Sequence, residues 1–302
     1  MISYPTAINS NSRFEIDTPE PVLNLHMQDG FSIIRRIRAS GNTGERSYMH
    51  HIVQLNLGSP ISLCWKSQGQ WIAGVCKSGD IVQLLSKGES EQTRCDEPCD
   101  IVEFAFDALF FDRIIGRENF GFRNMVNFHD PFLNEVLTDI YESNDPDTGD
   151  QLYIQSLVIV CAIHIATTYP QNYKKLFALK GKLSSHQLRK VIKFVRTSIH
   201  RAVSLEELAA CCNLSIFHFS RLFKSTLGVS PYQYVLRMKI ECSRNLIKRK
   251  RSIADIAYSL GFTDCSHFCN AFKKFTGHSP LHRADGKQKY HATPHFANNT
   301  AG

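Results

Sequence analysis

The stretch "HFSRLFKSTLGVSP" (218–231) returns, 49 residues later, as "HFCNAFKKFTGHSP" (267–280), with identity at seven of fourteen positions: His, Phe, Phe, Lys, Gly, Ser and Pro. The likeness extends upstream. "SLEELAACCNLS" (204–215) parallels "SIADIAYSLGFT" (252–263), each opening on a serine followed by acidic residues. Serine caps the exposed N–H groups of a first helical turn, and acidic side chains there oppose the positive end of the helix dipole. Asn213 and Gly261, near the end of each segment, tolerate the left-handed backbone that stops a helix. A second helix follows at once. The pattern predicts a short helix, a tight turn and another helix, made twice, at 204–226 and 252–275.

The second helix of each pair divides sharply. Phe219, Leu222 and Phe223 fall on one face, with Phe217, Ser220, Arg221 and Lys224 opposite. In the second copy Phe268, Ala271, Phe272 and Phe275 form the inner face, and Cys265, Ser266, Asn270 and Lys273 the outer. An aromatic stripe at helical spacing reads as core. The outer side chains are of the kinds that reach base edges or phosphates in a major groove. Between the copies, "SPYQYVLRMKIECSRNLIKRK" (230–250) has Pro231 at a helix start. About 18 helical residues span roughly 27 Å, near the roughly 34 Å that separates successive major-groove faces. Lys248, Arg249, Lys250 and Arg251, at its end, are candidates for phosphate contacts or for a solvated helix end.

Charge supports a polyanionic partner. Residues 185–290 hold 19 Lys and Arg against 6 Asp and Glu, while the rest holds 16 against 22, so +13 and −6 make up the net +7 of the 302-residue chain. The ten cysteines are scattered without a CxxC pair. With no segment resembling a signal peptide at the N-terminus, reduced thiols and a cytoplasmic location are expected. The most apolar stretch, 152–166, contains Gln155 and His164 and reads as a buried helix, with no role at a membrane.

Before Phe106 the chain reads as short strands: 31–38, 49–57, a hairpin over 61–75 turning near Gly69, 77–85 and 100–106. Even spacing of this kind suits a sandwich or small barrel. From Asp107 the period becomes helical. Asp130 is the expected N-cap, with Pro131 first in the helix and Phe132, Leu133, Val136, Leu137 and Ile140 on one face. A second, broadly apolar helix ends before Pro170. This pair suits either a contact between subunits or a cover for the barrel. A basic connection over 172–185 reads as a linker. Leu188, Val191, Ile192, Val195 and Ile199 then stripe a further helix. The aperiodic segment 285–302 is expected to be a disordered tail.

The segment from Val203 to Pro280, on "SLEELA…LSIFHFSRLFKSTLGVSPYQYVLRMKI" and "SIADIAYSLGFTDCSHFCNAFKKFTGHSP", resembles the DNA-binding domain of AraC/XylS-type bacterial transcription regulators. The resemblance implies a DNA-binding domain over 185–284, binding to double-stranded DNA and activation beside RNA polymerase. It places base reading on Phe217, Ser220 and Arg221, and on Cys265, Ser266 and Asn270, with Lys224 and Lys273 toward phosphates. Many relatives have Arg where Asn270 stands, so the second helix either prefers a different base or holds mainly backbone. Domain order further implies an α+β chain: a cupin-like, effector-sensing barrel over 1–115, a helical dimerisation segment over 116–180, and a homodimer.

Control by a small-molecule effector is the leading expectation; control by a protein partner, or constitutive activity, is the alternative. No effector-binding residue is readable, and no cofactor is implied. A catalytic metal is not expected, because the strand region offers only His26, His50 and His51, and the last two, being neighbours, point to opposite sides of a strand. An alkyl-transferring DNA-repair enzyme with a domain of this type would need a four-cysteine zinc cluster. The chain is therefore expected not to be an enzyme.

Overall fold

The structure, a computed structural model, describes residues 23–27, 30–144, 151–171 and 181–280. Most of the expected linker and the expected disordered tail lie outside the described residues. The described residues divide into two compact units, one of those up to 141 and from 161 to 171, the other of those from 142 to 160 and from 181 to 280.

The first unit is built on two antiparallel sheets. Ten strands are described: β1 (Leu23–Met27), β2 (Phe31–Arg38), β3 (Gly41–Ser47), β4 (His51–Asn56), β5 (Ile61–Ser67), β6 (Gln70–Cys76), β7 (Ile81–Leu85), β8 (Ser90–Cys95), β9 (Cys99–Phe106) and β10 (Met125–Phe128). Six form one sheet in the order β1-β2-β9-β4-β7-β10, and four form the other in the order β3-β8-β5-β6. The strands read from the sequence are all present. The expected hairpin is β5–β6, turning at Gln68 and Gly69. β3 and β8 escape a hydrophobic reading because "GNTGERS" and "SEQTRC" are nearly all polar, their place fixed by pairing with each other.

Between the sheets lies an apolar cluster of Ile61, Leu63, Cys76, Val82, Cys95, Cys99 and Ile101, against which Trp65 and Val126 pack. The Sγ atoms of Cys95 and Cys99 are 3.9 Å apart, both as free thiols. The opposite face of the larger sheet carries an aromatic cluster. His51 lies there with ring centroids 4.8 and 4.9 Å from Phe111 and Phe122. Phe111 belongs to helix α1 (Ala108–Ile115), whose N-cap Asp107 accepts from the amides of Leu109 and Phe110.

Helix α2 (Pro131–Ser143) starts where expected, with Asp130 Oδ1 accepting from the Leu133 amide at 2.9 Å. The other oxygen of Asp130 accepts from Tyr169 Oη at 2.6 Å and from His164 Nε2 at 2.7 Å, so one carboxylate caps a helix and ties down two later side chains. These bonds hold the Asp130 carboxyl far below the usual carboxylate range against the opposing effect of burial. Helix α3 (Gln151–Thr168) is long and apolar enough by composition to cross a membrane, yet 83% of it is buried in the fold. Its residues through Val160 belong to the second unit and those from Cys161 to the first. Leu133, Val136, Leu137 and Ile140 are fully buried within the chain, as is most of α3.

Six further helices make up most of the second unit: α4 (Ser185–Thr197), α5 (Leu205–Ala210), α6 (Ile216–Leu227), α7 (Pro231–Lys248), α8 (Ile253–Ser259) and α9 (Cys265–Thr276). Ser184, Ser204 and Ser230 each form a reciprocal capping box, with Gln187, Glu207 and Gln233. The α4 stripe is buried at Leu188, Val191, Ile192 and Val195. The first half of α3 packs into this unit: Tyr234 Oη donates to Ser156 Oγ at 3.0 Å, and the Arg196 guanidinium lies 4.0 Å from the centre of the Tyr153 ring.

Candidate nucleic-acid interface

The two halves of the repeat are α5–α6 and α8–α9, joined by α7. The residues shared between copies are mostly those that build the fold. Phe219 and Phe223, then Phe268 and Phe272, are completely buried, with ring centroids 5.5 and 5.7 Å apart within each pair. Phe223 also meets the ring of Tyr234, from α7, at 5.5 Å. In the second copy Leu236 and Ile240 of α7, Ile256 and Ala257 of α8, and Phe268 and Phe272 of α9 share one core. The repeated Gly-x-Ser-Pro is a stop and a start. Gly228 and Gly277 end α6 and α9 in the left-handed conformation, Ser230 caps α7 and Pro231 opens it. Of the seven shared residues, only the lysine, Lys224 or Lys273, is both charged and exposed.

The turns take the expected left-handed backbone at Asn213 (φ 53°) and Gly261 (φ 62°). The second turn is one residue longer, because Asp264 caps α9 where Ser215 caps α6. Gly261 sits against the backbone of Arg201, where an added Cβ would lie 2.5 Å from the Arg201 Cα and carbonyl carbon. Lys239, buried in α7, bridges this approach, donating to the carbonyl oxygens of Arg201 at 2.9 Å and Gly261 at 3.1 Å. Burial pushes its amine pKa down.

This places much of the unit's positive charge in structural roles. Arg201 pairs with Glu207 at 2.8 Å, Arg244 with Glu241 at 2.9 Å, and Arg189 and Lys239 are buried. The exposed cations include Arg221 and Lys224 on α6, Lys273 and Lys274 on α9, and Lys248, Arg249, Lys250 and Arg251 at the end of α7. Lys274 stands where the first copy has Ser225, so the repeat does not mark it.

Of the residues expected to read bases, Phe217 is 80% exposed, and Arg221, Ser266 and Asn270 are also exposed. Phe217 and Ser266 occupy equivalent positions in the two copies, as do Arg221 and Asn270. Ser220 is half-buried. Cys265, expected on the outer face, is instead half-buried and packs with Cys269 on the second core, because the first turn of α9 leans its inner edge on that cluster. Tyr258 on α8 and Tyr232 on α7 stand 68% and 59% exposed, and no periodicity distinguishes them in the sequence.

Two capped helix pairs, each offering one helix with a polar and basic outer face and held by a single joining helix, define a double helix-turn-helix DNA-binding domain. Residues 208–283 match the family described as helix-turn-helix domain, and the C-terminal part of this chain is an AraC-type DNA-binding domain. The chain is 38% identical over 88 residues to the MmsAB operon regulatory protein of Pseudomonas aeruginosa, covering 29% of each. It is 28% identical over 170 residues to the HTH-type transcriptional regulator MtrA of Neisseria gonorrhoeae, 54% of this chain and 56% of that one. Among solved structures it is similar to ToxT from Vibrio cholerae, at 14% identity over 84% of this chain and 97% of that one, with a TM-score of 0.36. The chain spans between 29% and 56% of the length of these two curated relatives.

Proposed function

We propose that this protein is a sequence-specific transcription regulator, in which one subunit reads two successive turns of the major groove. The observation that carries the reading is the pairing of α6 and α9, two helices of like build whose outward residues differ while their inward residues repeat. Arg221 donates to guanine O6 and N7, Phe217 packs on a thymine methyl, and Asn270 bridges adenine N6 and N7. Ser220, Cys265 and Ser266 complete the reading surface, Cys265 through its exposed edge. Lys224, Lys273 and the run from Lys248 to Arg251 hold phosphates. The β-rich unit senses a small molecule and changes how the helix pairs are presented; the protein acts in the cytoplasm as a homodimer and activates transcription beside RNA polymerase.

Retention of sheared genomic DNA on the purified protein at near-physiological salt tests this reading. Sharp peaks sharing a motif with two groove contacts about one helical turn apart support it. Uniform retention that salt removes shows backbone binding alone and refutes sequence reading.

A further inference from the structure

Two thiols meet where the chain passes from one sheet to the other. Cys95 ends β8 in the four-stranded sheet, and Cys99 begins β9 in the six-stranded one. Their Sγ atoms lie 3.9 Å apart, close to van der Waals contact, and the two residues are only 3% and 2% exposed. Cys95 pairs with Gly41 of β3 and Leu63 of β5, and Cys99 with Arg38 of β2, so ladders on both sides hold the thiols in place. The three residues that join them, Asp96, Glu97 and Pro98, are all exposed.

This arrangement differs from the cysteine pair on the second reading helix. Cys265 and Cys269 stand one turn apart on α9, where Cβ atoms are about 5–6 Å from each other, against the roughly 3.5–4.5 Å of a disulfide. At Cys95 and Cys99 the sulfurs already touch, and the exposed turn between them can take up the small shift that bonding needs. A third thiol, Cys76 of β6, is fully buried in the same cluster, and burial pushes it up to about 12, so it stays protonated and a poor nucleophile. The rest of the cluster, Ile61, Leu63, Val82 and Ile101, is apolar. Such surroundings oppose the entry of a bulky, charged oxidant but admit a small, uncharged one.

We propose that Cys95 and Cys99 are a redox-active dithiol that a hydroperoxide converts to a disulfide. One sulfur attacks a peroxide oxygen and the O–O bond breaks, leaving a sulfenic acid and releasing water, or an alcohol from an organic hydroperoxide. The second sulfur then attacks the sulfenic sulfur. The S–S bond forms, the S–O bond breaks, and the departing hydroxide leaves as water with the second thiol's proton. Two electrons pass from the sulfurs to the peroxide. The new bond ties the two sheets together at this corner, fixing the end of β8 to the start of β9. Its use as a signal rests on the reading of the β-rich unit as a sensor, and names the oxidant as the class of small molecule sensed.

Treatment of the reduced full chain with hydrogen peroxide, beside glutathione disulfide as the bulky, charged comparator at equal concentration, tests it. After alkylation of free thiols, peptide mass mapping should show a Cys95–Cys99 disulfide in the peroxide sample, with Cys76 alkylated, and none in the comparator. Far-UV circular dichroism confirms that the fold survives. Retention on target DNA should change about fivefold or more on oxidation, the lower end of coupling between sites in one protein, and return with dithiothreitol. Cys95→Ala and Cys99→Ala, each folded by the same criterion, should lose that response, while Cys76→Ala keeps it. Absence of the Cys95–Cys99 bond in folded protein, or a bond from either residue to Cys76 in its place, overturns the proposal. So does a response that Cys95→Ala and Cys99→Ala leave intact. A Cys95–Cys99 bond that leaves DNA retention unaltered keeps the dithiol and refutes the sensor. Because the mapping needs no DNA, a reduced protein that retains no specific sequence refutes the reading of DNA and leaves the mapped disulfide standing.

Discussion

Gly261→Ala tests how the second helix pair is held together. Two costs arise at this position. The first is conformational: φ is +62°, where alanine costs about 1 kcal/mol relative to glycine. The second is steric, because the new Cβ would sit 2.5 Å from Arg201 backbone atoms, and backbone does not rotate aside as a side-chain end does. Moving Arg201 and Gly261 apart stretches the two bonds that Lys239 makes to their carbonyl oxygens. A hydrogen bond to a charged group contributes about 1.5–3 kcal/mol, and a buried ammonium that loses an acceptor is left under-solvated. The sum is about 2.5–4 kcal/mol. Gly277→Ala is the internal control: it has φ +79° at the end of α9, but nothing lies within 4 Å of its added Cβ, so only the cost of about 1 kcal/mol applies. Urea unfolding followed by circular dichroism at 222 nm reads the helices of this unit directly. A Gly261→Ala loss no larger than that of Gly277→Ala would refute the claim that the close approach to Arg201 and the Lys239 bridge hold the turn.

Four further outcomes are expected. Arg221→Ala should cost about 1–3 kcal/mol at a single base position in a binding-site selection, whereas an equal loss on every sequence makes Arg221 a phosphate clamp. Phe217→Ala should weaken specific DNA binding and leave unfolding within about 0.5 kcal/mol, while Phe219→Ala, two positions on and fully buried, should destabilise by about 3–5 kcal/mol. His51 is buried, its Nδ1 accepts the Lys87 amide at 3.0 Å, and burial lowers its pKa from 6.5 to about 4. The unfolded chain therefore takes up that proton first. The stability from this group is complete above pH 6.5 and falls by about 3 kcal/mol as the pH drops to about 4; His51→Phe should flatten that dependence in urea unfolding followed by the fluorescence of Trp65 and Trp71, the chain's two tryptophans and both in the β-rich unit. Finally, specific DNA affinity should fall linearly with the logarithm of salt concentration, and a combined Lys248→Ala/Arg249→Ala/Lys250→Ala/Arg251→Ala variant should reduce that slope if this run holds phosphates.

The helical unit was legible because its determinants are local. A capping serine with an acidic residue three positions on, a glycine at the helix end and an aromatic pair four residues apart each specify geometry within one turn of backbone, and the chain states them twice. Asn213, Gly261, Ser215 and Pro231 each perform the task their residue type suggests. The sequence by itself thus determined the double helix-turn-helix, its family and the outward positions of Phe217, Arg221, Ser266 and Asn270. Tertiary structure decided what depends on distant partners. Cys265 lies on the expected helix, but contact with a core shared by α7 and α8 draws it half inward. Lys239 reads as one more cation of a basic helix until its ammonium is seen between two carbonyl oxygens. The polar strands β3 and β8 exist because they pair with each other and with β5, and Gln54, Gln83 and Glu103 become neighbours only because β7, β4 and β9 are adjacent in one sheet. Pairing between strands about 26 to 55 residues apart leaves no periodic trace in any one of them, so the part of this protein proposed to read DNA was written locally, and the part proposed to sense a ligand was assembled only by folding.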